Sequence, residues 1–198
     1  MLVAWDFDGV LNRSFEGGYF LWQQTFEADM GISAERFTEY MFAAGRFDDI
    51  LTGRRDLLDV LGAFCRTVDA KTPARDVLAY WLAKDALLDA QVMDWLTACP
   101  HPGVIATNNE AHRAEFIWNT LGLSAHLKAI FASGPLGVKK PDAGFFAAIE
   151  DWSGLPADQI LLIDDAAKNI AAAAARGWQV FHFTEHSRAD LPRVLGIG

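Results

Sequence analysis

Leu2-Val3-Ala4-Trp5-Asp6-Phe7-Asp8-Gly9-Val10-Leu11-Asn12 is the stretch on which the fold turns. Four apolar residues read as a short buried strand that delivers two carboxylates at its end. Side chains alternate along a strand, so Asp6 and Asp8 point to the same side. Two like charges about 4 Å apart repel by roughly 4 kcal/mol at an effective dielectric near 20, so the pair calls for a cation, a shared proton or a division of labour. Gly9 lets the chain turn away directly after the second acid. Both carboxylates are thereby left at the carboxyl end of the strand, where open α/β sheets place their ligands. By itself, Asp-x-Asp followed by Gly is also an ordinary turn sequence.

Three later stretches agree with the chemical reading. Val104-Ile105-Ala106-Thr107-Asn108-Asn109 is a second apolar run that ends in a hydroxyl. Gly137-Val138-Lys139-Lys140-Pro141-Asp142 supplies a cation. Ile160-Leu161-Leu162-Ile163-Asp164-Asp165 ends a third run in paired acids. In this order the four stretches resemble the motifs of the haloacid dehalogenase (HAD) superfamily. Lys140-Pro141-Asp142 and Asp164-Asp165-x3-Asn169-Ile170 are most similar to the phosphatase branch of the subfamily with an α-helical cap.

The resemblance implies an α/β fold, a Rossmann-like parallel sheet with helices on both faces, and an inserted all-helical cap. It divides the chain into a core of residues 1–13 and 99–198 and a cap of residues 14–98. It also implies a role for each motif residue. Asp6 would be the nucleophile that forms an aspartyl-phosphate, and Asp8 the general acid and base. Thr107, Asn108 and Lys140 would hold the phosphoryl oxygens. The implied cofactor is Mg2+, a hard cation suited to oxygen ligands, on Asp6, the Asp8 backbone carbonyl and Asp165, with Asp164 bound directly or through water. Asn169 stands where some relatives carry an acid, and Val10 where many carry Thr. Lys139 competes with Lys140 for the cationic role, and the Lys-Pro-Asp wording favours Lys140. The paired acids 164 and 165 also suit the N-terminus of a helix.

The resemblance leaves three activities and one silent reading to compare. Magnesium-dependent hydrolysis of a small phosphomonoester accounts for every motif residue. A metal-independent 2-haloacid dehalogenase would need neither Asp164-Asp165 nor an acid at Asp8. A phosphomutase would share the core residues and differ in its cap. A catalytically silent binding module would be expected to have lost one of Asp6, Asp8, Lys140 or Asp165, and all are present.

The bulk properties set the frame for these readings. The 198 residues, 52% of them apolar, can fill a substantial core. A net charge of -9 without any basic run argues against nucleic acid or an anionic membrane as partner. No apolar run approaches the roughly 20 residues of a membrane span, and no signal-peptide pattern opens the chain, so a cytoplasmic location is the expectation. Cys65 and Cys99 read as buried hydrophobes and not as a disulfide. The five histidines show no ligand spacing. The sequence leaves the oligomeric state open.

Along the chain, Tyr19, Trp22 and Phe26 predict one face of a helix beginning near Ser14. Further helices are predicted from Ser33 to Ala44, Arg55 to Val68, Pro73 to Lys84 and Ala90 to Ala98. The aromatics Phe37, Tyr40, Phe42, Phe64, Tyr80 and Trp81 read as cap core. After the cap, strands are predicted at Gly103 to Thr107, Ala129 to Ala132, Ile160 to Ile163 and Trp178 to Phe183. They alternate with helices carrying Ala114, Ile117, Trp118 and Leu121, then Phe145, Ala148, Ile149 and Trp152, then the alanine-rich stretch from Lys168 to Arg176. Pro141 suits the first turn of the second of these helices. Arg13, Arg46 and Arg54 are candidates for gripping a second anionic group, with solvated surface the favoured reading for each, and the implied partner is a small phosphorylated metabolite.

Overall fold

The opening apolar run forms β1 (Leu2–Trp5), the central strand of a parallel sheet. The structure, a computed structural model, describes residues 1–16 and 19–197. Among these, the chain continues through β2 (Phe15–Glu16), β3 (Tyr19–Phe20), α1 (Phe26–Met30), α2 (Ala34–Phe42), α3 (Arg46–Leu51), α4 (Leu57–Thr67), α5 (Ala74–Lys84) and α6 (Ala90–Ala98). It then alternates through β4 (Gly103–Thr107), α7 (Ala111–Glu115), β5 (Ile130–Ala132), α8 (Ser133–Leu136), α9 (Ala143–Ser153), β6 (Ile160–Asp164), α10 (Ala167–Ala175), β7 (Gln179–His182) and α11 (Leu191–Leu195).

The larger sheet runs β5-β4-β1-β6-β7 with every pairing parallel. Period-2 alternation sends Val3 and Trp5 to one face, with Val92 and Leu96 of α6, Ile117, and Leu191 and Leu195 of α11. Leu2 and Ala4 face the other way, onto Phe145, Phe146 and Ile149 of α9 and Ala173 of α10. Helices therefore cover both faces, as buried parallel strands require. The strands are short, yet their apolar runs leave few alternatives, and the observed spans lie within a residue of the expected ones. Pro141 precedes the Asp142 cap of α9 and so lies outside the helix, and Trp152 at its end is 50% exposed. The helix after β4 continues past α7 as a π-helical turn over Phe116–Thr120.

The inserted segment differs from expectation at its start. In place of a helix from Ser14, β2 and β3 pair antiparallel, a 3-10 turn covers Leu21–Gln24, and α1 begins at Phe26. Gly17 and Gly18, within the helix expected there, lie outside the described residues, and two consecutive glycines disfavour helix. Trp22 and Phe26 do reach the core, but Tyr19 is exposed. Phe37 joins them, in edge contact with Trp22 and Phe64.

Ser33 caps α2, which ends at Phe42, and α3 is an additional helix. Helix α6, inside the boundary drawn at residue 98, packs on the sheet with Val3 and Trp5. Chain crossings tie the two junctions together, with Arg13 N donating to Leu87 O and Asp89 N to Leu11 O. Among the described residues, no helix is long and apolar enough to cross a membrane.

Candidate active site

Strand β1 lies between β4 and β6, so Asp6, Thr107 and Asp164 emerge side by side at the carboxyl ends of three neighbouring strands. Lys140 arrives from the loop between α8 and α9. Its Nζ lies 3.0 Å from Asp6 Oδ2 and 2.6 Å from Asp164 Oδ2, and the residue is 1% exposed. Lys139 instead pairs with Asp48 of α3 at 2.6 Å, away from the strand ends. Asn108 fastens the lysine loop, because its amide donates to Lys140 O and accepts from Lys140 N. Both ends of the Asn108 side chain are thus engaged by main chain and position the lysine loop. Thr107 Oγ1 accepts from Asn109 Nδ2 at 2.7 Å.

Charge is unevenly distributed here. Burial, only partly offset by Lys140 and reinforced by Asp164, pushes the Asp6 carboxyl well above its ordinary value. Desolvation and then the like charge of Asp164 raise Asp165 as well. For Lys140, burial acts downward, but Asp6 and Asp164 outweigh it and hold the ammonium protonated. Carboxylate oxygens of Asp6, Asp164 and Asp165 lie within 4.8 Å of one another. Three acids sharing one ammonium are an excess of hard, negative oxygen donors, and this donor set fits a small divalent cation such as Mg2+. Asp164 is fully buried and engaged by Lys140, Ala166 N and Asn169 Nδ2. Asp165 is more open. Gly9, at φ +82, leaves it room, for a Cβ there would collide with the Asp165 carboxylate.

Asp8 has partners that sequence reasoning missed. Arg113 of α7 donates to Asp8 Oδ1 at 2.8 Å, and Asn109 to Oδ2 at 2.9 Å. The Asn12 amide nitrogen lies 2.9 Å from Asp8 Oδ1, 3.0 Å from Ser14 Oγ and 2.9 Å from Asp85 O. Burial alone would raise Asp8, but Arg113 and these amides hold it below its ordinary value. Arg113 also pairs with Asp85 Oδ2 at 2.6 Å, joining Asp8 to the end of α5. One signal for Arg113 was present: it stands four residues before Ile117, on the inward stripe of its helix, where a solvated arginine has no place.

Two cavities meet at this point. One of about 560 Å³ is lined by Asp6, Asp8, Thr107, Asp165 and Asn169, with Arg13 and Lys168 also on its wall. The other, of about 200 Å³, lies against the inserted helices and shares Asp8, Phe20 and Asn108 with the first. Phe42 and Trp81, read from sequence as cap core, both line the second cavity. Arg46 lies over the Tyr40 ring and Arg54 pairs with Asp49.

The parallel sheet thus gathers acids, a lysine and a hydroxyl at the ends of its central strands. A family model described as haloacid dehalogenase-like hydrolase matches residues 1–177, and the chain belongs to that family. It is 26% identical over 184 residues to the GMP/IMP nucleotidase YrfG of Escherichia coli K12, covering 88% of this chain and 78% of that one. It is 29% identical over 186 residues to a phosphoglycolate phosphatase of Rhodospirillum rubrum, with coverage of 88% and 76%.

Two solved structures share the fold. A predicted HAD-like hydrolase from Porphyromonas gingivalis superposes with a TM-score of 0.79 at 19% identity, over 98% of this chain and 97% of that one. The HAD family enzyme BT-2542 of Bacteroides thetaiotaomicron, solved with magnesium and inorganic phosphate, gives 0.74 at 14% identity, over 92% and 93%.

Proposed function

We propose that this hydrolase cleaves a small, soluble phosphomonoester in a magnesium-dependent reaction through an aspartyl-phosphate on Asp6. The observation that carries the reading is the chain Asp6–Lys140–Asp164 with Asp165 beside it, at the mouth of the larger cavity. Lys140 offsets part of the burial cost of the Asp6 carboxylate and offsets charge on the phosphoryl oxygens as it builds in the transition state. Asp6, the Asp8 carbonyl and Asp165 would hold Mg2+, with Asp164 behind them. When bound, the ion supplies further neutralisation of phosphoryl charge.

Asp6 attacks phosphorus and the ester oxygen leaves with a proton from Asp8. Arg113 and the two amides favour the ionised form of Asp8, which suits it to take a proton from water in the second step. In the first step the approaching phosphate dianion is a like charge that raises its proton affinity. Support for a small substrate comes from the relatives named for nucleotides and phosphoglycolate and from the charge of -9, which opposes nucleic acid. The test is turnover of a generic aryl phosphate. Magnesium should be required, and Asp6→Asn should abolish activity, because the amide keeps the shape but neither attacks nor binds as an anion. Activity surviving both chelator and Asp6→Asn refutes the mechanism.

A further inference from the structure

We infer that the alcohol half of the substrate is uncharged and apolar, an alkyl, cycloalkyl or unsubstituted aromatic group of about eight carbons seated in the smaller cavity. This rests on the reading of Asp6 and Asp8 above. Asp8, which protonates the leaving oxygen, lines both cavities, so the group attached to that oxygen extends from the larger into the smaller. An apolar cavity of about 150 Å³ holds benzene, so the volume here of about 200 Å³ takes roughly eight carbons.

Most of the wall is hydrocarbon. Phe42, Phe47 and Trp81 supply rings, and Leu51 and Leu57 complete the enclosure. Phe20 and Phe42 are among the few large apolar side chains of the described residues that stay exposed, and both stand on this wall. An apolar ligand would cover them and remove their contact with water. The polar side chains of the same wall are committed to protein. Asn108 is held at both ends by the Lys140 main chain, the Glu110 carboxylate accepts from His112 N and Arg113 N, and Asn109 Nδ2 is shared by Asp8 and Thr107. Trp81 Nε1, Asp85 Oδ1 and Arg113 Nε have no partner, but they are sealed beneath the wall, out of reach of a ligand. A sugar or a nucleobase placed here would give up its hydrogen bonds to water without replacing them, whereas a hydrocarbon has none to lose.

Charge excludes an ionic alcohol. Among the described residues, the cation on this wall is Arg113, whose Nη1 and Nη2 are taken by Asp85 and Asp8. An anionic alcohol would meet Asp8, Asp85 and Glu110, which repel it. A cationic one would find those carboxylates already bonded to Arg113 and to the main-chain N–H groups of α7, and would lose its hydration without a free partner.

The experiment compares kcat/KM, with magnesium present, for methyl, butyl, heptyl, decyl and cyclohexylmethyl phosphate, whose leaving alcohols have similar acidity. Four polar esters are run beside them: glycerol 3-phosphate, phosphoglycolate, phosphocholine and a purine nucleoside 5′-monophosphate. In the alkyl series kcat/KM should rise by up to about fourfold per added methylene and level off near roughly eight carbons. Cyclohexylmethyl phosphate should exceed each polar ester by at least about tenfold. Leu51→Trp, which fills the cavity, should lower the ratio of cyclohexylmethyl to methyl phosphate turnover by a similar factor. Phe47→Ala, which enlarges it, should move the plateau to longer chains. A preference for any of the polar esters overturns the inference, as does a flat alkyl series or an equal loss on all esters in both variants.

Titration of free cyclohexylmethanol into the wild type and Leu51→Trp, followed by NMR of the ligand, separates this inference from the mechanism. Binding that Leu51→Trp removes supports the cavity even if no ester is hydrolysed. No binding to the wild type overturns it even if aryl phosphates are turned over.

Discussion

Replacing Arg113 with Met tests how the site is held together. The methionine fills similar space but removes the charge between Asp8 and Asp85. Breaking a buried ion pair by deleting one partner costs about 3–5 kcal/mol, because the other charge is left uncompensated. Most of that cost belongs to Asp85. Its side chain is 11% exposed, while that of Asp8 is 45% exposed and keeps its bonds from Asn12 and Asn109. For a chain of this size each kcal/mol lowers Tm by about 2–4 °C, so the melting temperature followed by circular dichroism should fall by roughly 6–20 °C. Adding Asp85→Asn in the Arg113→Met background removes the stranded charge and should recover at least half of the loss. Below the new melting temperature, kcat should still fall by about tenfold to a hundredfold, because Asp8 has lost its fixed orientation. A Tm change under about 2 °C, or no recovery in the double variant, would show that Arg113 does not bear the charge of this junction.

Lys140→Ala should lower aryl phosphate turnover by at least about tenfold to a hundredfold, while Lys139→Ala changes little, since only Lys140 lies against Asp6; steady-state kinetics showing the reverse ranking would place the cation one residue off. Burial, against the pull of Arg113 and with the like charge of Asp8 added, pushes the Asp85 carboxyl up to about 6. A raised carboxyl disfavours the ionised native state, so wild-type stability relative to Asp85→Asn should decline as pH rises from about 4 through 6, by up to about 3 kcal/mol, and a Tm difference that stays flat over that range would contradict it.

The parts legible in the sequence were those for which composition alone restricts the structure. An unbroken run such as Ile160-Leu161-Leu162-Ile163, set between helical stretches, is satisfied on both faces inside a covered parallel sheet, and its end then places Asp164. The parts that were not legible depend on meetings between distant residues. Asn12 bonds Asp85 O across 73 positions, and Arg113 bonds Asp8 across 105. Apart from Asp8, each of these residues, read locally, is an ordinary polar residue in a loop or on a helix.

The same reason explains the inserted segment. Trp81 and Phe37 are both buried aromatics on helices, in edge contact at 5.1 Å, yet only Trp81 lines the small cavity. Periodicity finds the apolar stripe of a helix, but the direction of that stripe, toward its own cluster or toward the sheet, is set by how both junctions are tied down. Besides the main-chain bonds between the junctions, the ties here include Asn12 and Arg113, residues that also hold Asp8. The groups that position Asp8 are therefore the groups that position the wall of the cavity beside it, and a change at either alters both the carboxylate and the space next to it.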